Sequence, residues 1–141
     1  MFNKVSKIWI TGENFYPSKI IAIFGDIFVD FHDVNSLENA KLQSKQSYGL
    51  AVIKVPNNLD FEESVSDSDE KITWLLNFIE DKILIIKEYG GFEIQLDIEY
   101  TIDLENRQQR YIDSLSAAQM KKMGGLGITY NITIWVNGET S

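Results

Sequence analysis

The sequence predicts an α+β fold, a two-layer sandwich with one long and two short helices packed on one face of a mostly antiparallel sheet of about five strands. Three observations carry that reading. Between Phe92 and Ile102 apolar residues alternate with Glu93, Gln95, Asp97, Glu99 and Thr101, the period of two that a strand with one buried face requires. Between Asp67 and Gly91 the period changes: Ile72, Leu75, Leu76, Ile79, Ile83 and Ile86 follow helical spacing and line one face. The chain has 141 residues, 44% hydrophobic and 24% charged, which suits one core and a single domain spanning residues 1–141. Strands that alternate cleanly keep one polar face, so antiparallel pairing with the helices on the other side is expected.

The elements follow in order. A first strand runs from Val5 to Thr11 and breaks at Gly12. In the stretch that follows, "GENFYPSKIIAIFG", Gly12 is expected to turn the chain through angles other residues resist, and Glu13 or Asn14 to accept bonds from free amides. Phe15 fills the gap beneath, and Pro17 opens a short helix reaching Phe24. One glycine before a helix, with no lysine placed as in a Walker loop, makes this a structural corner rather than a phosphate cradle. Strands at Ile27 to His32 and Tyr48 to Val55 are marked by branched and aromatic residues. The long helix starts at Asp67 or Ser68, runs about five turns, carries Trp74, Phe78, Leu84 and Ile85 as a widening of its stripe, and stops at Gly90-Gly91. After the strand from Phe92 come a second short helix, Ser116 to Met123, followed by Gly124-Gly125, and a last strand, Ile128 to Val136. The strand-helix-strand unit around residues 8–29 is echoed faintly by residues 98–132, a similarity that chance explains about as well as an ancient repeat.

Composition excludes more chemistry than it suggests. With 13 basic residues against 21 acids, a net charge of −8 and no denser basic spot than Lys121-Lys122, neither nucleic acid nor an anionic membrane is an expected partner. No apolar run approaches the ~20 residues that cross a bilayer. The absence of cysteine removes disulfides and thiolate metal sites and makes the reducing cytoplasm the expected compartment. The single histidine, His32, lies near Asp30 and Asp33, but zinc takes three or four N or S donors and no nucleophile accompanies the pair. The acids from Asp60 to Glu70 lack the glycine and terminal Glu of a calcium loop and read as solvated. Asn131-Ile132-Thr133 matches a glycosylation acceptor but falls inside a strand. No metal, no cofactor and no catalytic residue is expected.

The run Ile10-Thr11-Gly12-Glu13-Asn14-Phe15-Tyr16-Pro17, closing at Phe24-Gly25-Asp26, resembles the opening signature of a bacterial family catalogued as domain of unknown function 4279. The helix ending in Tyr89-Gly90, the strand after it and "SLSAAQMKKMGGLGITYNITIWV" are similar to that family's later segments. The chain departs from the family pattern at "DIFVDFHDVNS" and at Tyr48. The resemblance implies a neighbour at the scale of the fold and supplies no mechanism.

Two classes of function remain. A non-catalytic protein-binding module is favoured, its acid surplus suited to a basic partner, as in toxin-immunity proteins, or its sheet edge to a homodimer. The alternative is a small-molecule binder, or an enzyme using carboxylates and tyrosine, with a pocket between sheet and helices. The candidate partner-binding residues are Trp9, Trp135, Glu93, Asp97 and Glu99. Burying Ile8 and Ile10 sends Trp9 to the opposite face, and burying Ile132, Ile134 and Val136 does the same to Trp135, so two tryptophans ringed by acids are expected on the sheet's polar face.

Overall fold

In β1, Asn3–Gly12, every second residue from Ser6 to Ile10 is buried, and this strand lies at the middle of the sheet. The structure is a computed structural model that describes residues 3–25, 28–34, 37–39, 44–45, 47–56, 68–103 and 115–137. After β1 come α1 (Ser18–Phe24), β2 (Phe28–His32), a two-stranded ribbon of β3 (Leu37–Asn39) and β4 (Ser44–Lys45), and β5 (Gly49–Lys54). The chain continues with α2 (Ser68–Glu88), β6 (Glu93–Asp103), α3 (Ala117–Leu126) and β7 (Ile128–Asn137). The main sheet has the order β2-β5-β1-β6-β7. Three of its pairings are antiparallel, and β6 with β7 is parallel, as a helical crossover through α3 demands. The fold is the α+β sandwich the alternation implies.

Register fixes which residues share a face. Ile8 lies between Ile53 and Leu96, and Ile10 between Ala51 and Ile94, so one face of three strands is continuous hydrocarbon. From α2, Ile72, Leu75, Leu76, Ile79 and Ile86 close over it, joined by Ile20 of α1 and Met123 of α3. Truncating a fully buried isoleucine such as Ile10 to alanine in such a core costs ~2–5 kcal/mol. Leu84, which the sequence stripe includes, is instead exposed, because it lies on the outer side of α2 while its neighbour Ile85 stays half-buried.

Polar contacts lock the helices in place. Ser116 and Gln119 form a reciprocal capping box at the start of α3, and Gln119, itself buried, reaches on through Nε2 to Thr73 Oγ1 of α2 at 3.1 Å. Lys122 Nζ adds a bond to Asn77 Oδ1 at 2.5 Å and a pair with Glu80 at 3.4 Å. The helix does not stop at Gly124-Gly125 as their sequence suggests. Both lie within α3, and Gly127, at φ 73°, takes the left-handed cap. For α1, Pro17 stands at the cap with no side chain able to bond, and Asp33 does that work from a distance by accepting from Ser18 N at 2.9 Å and Ser18 Oγ at 2.5 Å. No helix among the described residues is long and apolar enough to cross a membrane.

Candidate functional site

The corner after β1 is built by close approach of backbones. A Cβ placed on Gly12 falls 2.1 Å from the carbonyl oxygen of Gly90, one on Gly90 falls 2.1 Å from that of Asn14, and one on Gly49 falls 2.0 Å from that of Phe15. Gly12 is therefore required by space and not by its backbone angles, which correct the expectation from sequence; only Gly90, at φ 100°, is conformationally special here. Phe15 is fully buried beneath the turn, as its position suggests. The amides of Phe15 and Tyr16 bond to the carbonyls of Gly12 and Tyr89 rather than to Glu13 or Asn14, whose side chains are exposed. Val34 N closes the corner from the other side onto Phe15 O.

Beside this corner lies an open groove of about 910 Å³, with Glu13, Tyr48, Lys87, Phe92 and Glu93 on its walls. It sits at the end of the sheet and not between sheet and helices, where the alternative reading places a pocket and where the core is packed. Phe92 is 80% exposed at its rim, although the alternation counts it with the inward residues; the regular strand starts only at Glu93, after the turn at Gly90 and Gly91. The groove offers one amine, two carboxylates and a phenol, without a nucleophile and base in bonding contact.

The residues singled out on the sheet's second face do not form one surface. Across the strands Trp9 is level with Gln95 and Thr129, whereas Trp135 is level with Thr101, so the two rings are six residues apart along the strand direction, ~20 Å. Trp9 is half-buried with its Nε1 enclosed and unbonded, and Trp135 is 56% exposed. Asp97 is only 5% exposed and accepts from Asn131 Nδ2 at 2.7 Å, so it is no part of an acidic rim; Glu99 is half-buried and Glu93 exposed. Lys7 and Lys54 stand in the same row as Asp97, which breaks up the acids further. Leu50 and Val52, on this same face, are buried. His32 packs edge-on against Tyr48 at 5.4 Å with Nδ1 enclosed, and the Asp33 carboxylate beside it is committed to Ser18. Among the described residues no cluster of three or more His, Cys, Asp or Glu stands ready for a metal. The run from Asp60 to Asp67 lies outside the described residues.

The larger surprise is β7. Ile132, Ile134 and Val136, expected in the core, are exposed, and with Tyr130 and Trp135 they are 42% to 56% accessible. The reason is length. α3 has ten residues, ~15 Å, and ends over the start of β7, where Met123 and Ile128 join the core, whereas β7 with ten residues extends for ~33 Å. The far half of the strand therefore projects beyond its helix. β7 is also the last strand of the sheet order, so among the described residues its outer backbone groups have no strand to pair with. Periodicity shows which residues share a face but not how far a covering helix reaches, and it placed these residues in the core for that reason.

Comparison with protein-family models, with curated proteins and with solved structures finds no match to this chain.

Proposed function

We propose that this chain is a non-catalytic protein-interaction module that works by strand addition at β7. The observation that carries this is a ten-residue outer strand with five large apolar side chains exposed and, among the described residues, one backbone edge with no strand beside it, the arrangement that main-chain pairing with another strand uses. The net charge of −8 steers basic proteins toward the molecule as a whole, and a cysteine-free chain suits a reducing cytoplasm, in keeping with the toxin-immunity-like reading. The test is affinity capture from a bacterial lysate with the wild-type chain and with Ile134→Lys as baits. A protein retained in stoichiometric amount by wild type and lost with Ile134→Lys supports strand addition; one retained equally by both baits refutes it.

A second reading, binding of a small molecule, is favoured by the groove at the glycine corner, where Lys87 with Tyr48 and Phe92 suits a ligand bearing a carboxylate and a ring. Thermal shift with aromatic carboxylates, lost in Lys87→Ala, tests it.

A further inference from the structure

We infer that the strand added to β7 is the β7 of a second copy, so that the chain forms a two-fold dimer with one sheet running through both subunits; this rests on the reading of β7 as the interaction edge. The two edges of the sheet are treated differently. β2, at one end, has five residues, a register shift between Phe28 and Asp30, and the charged Asp30 in the strand, the devices by which an edge is kept from pairing. β7, at the other end, has ten residues, an unbroken register with β6, and no Asp, Glu, Lys, Arg, His or Pro from Ile128 to Asn137. An edge that is long, regular and, among the described residues, unguarded, in a chain that guards its other edge, is one that pairs.

Charge selects the occupant. The −8 of the chain draws basic proteins toward the molecule as a whole, but β7 itself carries no acid, so at this strip a basic strand gains no advantage over a neutral one. Two copies, which repel over most of their surface, meet without opposing charges only along a neutral strip of this kind. The strand is also its own complement. In antiparallel pairing about a two-fold axis normal to the sheet, even-numbered residues meet even-numbered ones. Tyr130, Ile132, Ile134 and Val136 then face the same apolar set of the second copy, while Thr129, Asn131, Thr133 and Trp135 face theirs. Alternate residues of β7 turn their N–H and C=O away from β6, and those groups supply the new ladder. Only Tyr130 and Trp135 of the five are aromatic, so complete burial of the exposed parts of all five side chains in both copies removes at most on the order of 1,000 Å², the low end of specific interfaces.

The axis passes the middle of the strand, at Ile132 or Thr133, where a residue meets its own counterpart. Because the chain has no cysteine, a single introduced one reports this directly. Full-length Ile132→Cys and Thr133→Cys are oxidised and compared with Asp30→Cys on the opposite edge, and the mass of the wild type, Ile134→Thr and Ile134→Lys is measured by sedimentation across a dilution series, with circular dichroism to check each fold. A dimer is expected for wild type and Ile134→Thr, cross-linked through residue 132 or 133 and not through residue 30. For Ile134→Lys, association weakened by ~100-fold or more with an unchanged spectrum is expected. Wild type that stays monomeric at ~100 μM, well above the micromolar range of weak interfaces, overturns the second copy as partner. In that case the strand-addition reading stands or falls by the lysate capture. A dimer that cross-links through residue 30 and ignores Ile134→Lys also overturns β7 pairing between copies, and again leaves the strand-addition reading to the lysate capture.

Discussion

Replacing Gly12 with alanine adds one methyl group where the sheet's central strand touches the turn between α2 and β6. The new Cβ lies 2.1 Å from Gly90 O and 3.2 Å from both Gly90 C and Phe15 Cβ. Ordinary contact requires ~3.4 Å, so Gly90 must retreat by more than 1 Å, and Gly90 is itself closely packed, since a Cβ on it would fall 2.1 Å from the Asn14 carbonyl oxygen, and its backbone angle is one that glycine alone adopts easily. Overpacking of this kind costs ~1–3 kcal/mol and here falls at the upper end because backbone, not a flexible side chain, is struck. The substitution also stiffens the unfolded chain, which returns ~0.4–1 kcal/mol. The net loss is ~2 kcal/mol, a fall in Tm of ~7 °C for a domain of this length. Thermal unfolding followed by circular dichroism measures it. A variant melting within ~1 °C of wild type refutes the steric account of the corner.

Gly124→Ala and Gly125→Ala act in the opposite sense, since both sites are inside α3 with nothing within 4 Å of a new Cβ; each raises stability by ~0.5–1 kcal/mol in urea unfolding. Asp33→Ala removes the carboxylate that caps α1 and lowers stability by ~1 kcal/mol by the same assay, whereas Asp30→Ala, exposed in β2, changes it by less than ~0.5 kcal/mol. In the dissociated monomer, Trp135→Phe removes the red-shifted, iodide-quenched part of the fluorescence and Trp9→Phe does not, since Trp135 is exposed and the Trp9 indole nitrogen is enclosed. Calorimetric titration with zinc and with calcium shows no micromolar binding; a site abolished by replacing His32 or the acids from Asp60 to Glu70 refutes this.

Most of the fold was legible because its signals are local. The alternation of β6 and the helical stripe of α2 are read directly from residues 72–102, and the register shows that they mean what their periods imply: Ile94, Leu96 and Ile98 face the same core as Leu75, Leu76 and Ile79. What failed depended on partners far away in sequence. Gly12 is small because Gly90 is near, a fact no window around residue 12 contains. Gly124 and Gly125 look like a stop, yet Gly127 two residues later takes the left-handed turn, so the helix has no cause to end sooner. Ile134 and Val136 alternate as core residues do, and their spacing does not say that α3 is too short to cover the far half of the strand. Asp97 reads as a solvent-facing acid until Asn131, brought alongside by the parallel pairing of β6 with β7, supplies the donor that lets it be buried.

The central place of β1 has a cost during synthesis. Its two neighbours are β5 and β6, so the strand that ends up innermost is the first of the three to be made, and its second flank stays bare until Glu93 and the residues after it have emerged. That wait spans about 80 residues, or ~4–16 s at bacterial and eukaryotic translation speeds. Throughout it, Ile8 and Ile10 belong to a nascent segment with nothing to fold against on one side. Codon changes that slow translation between residues 55 and 92 lengthen that wait, and the expected outcome is a lower yield of folded chain with the finished molecule unchanged, which expression of synonymous variants measures.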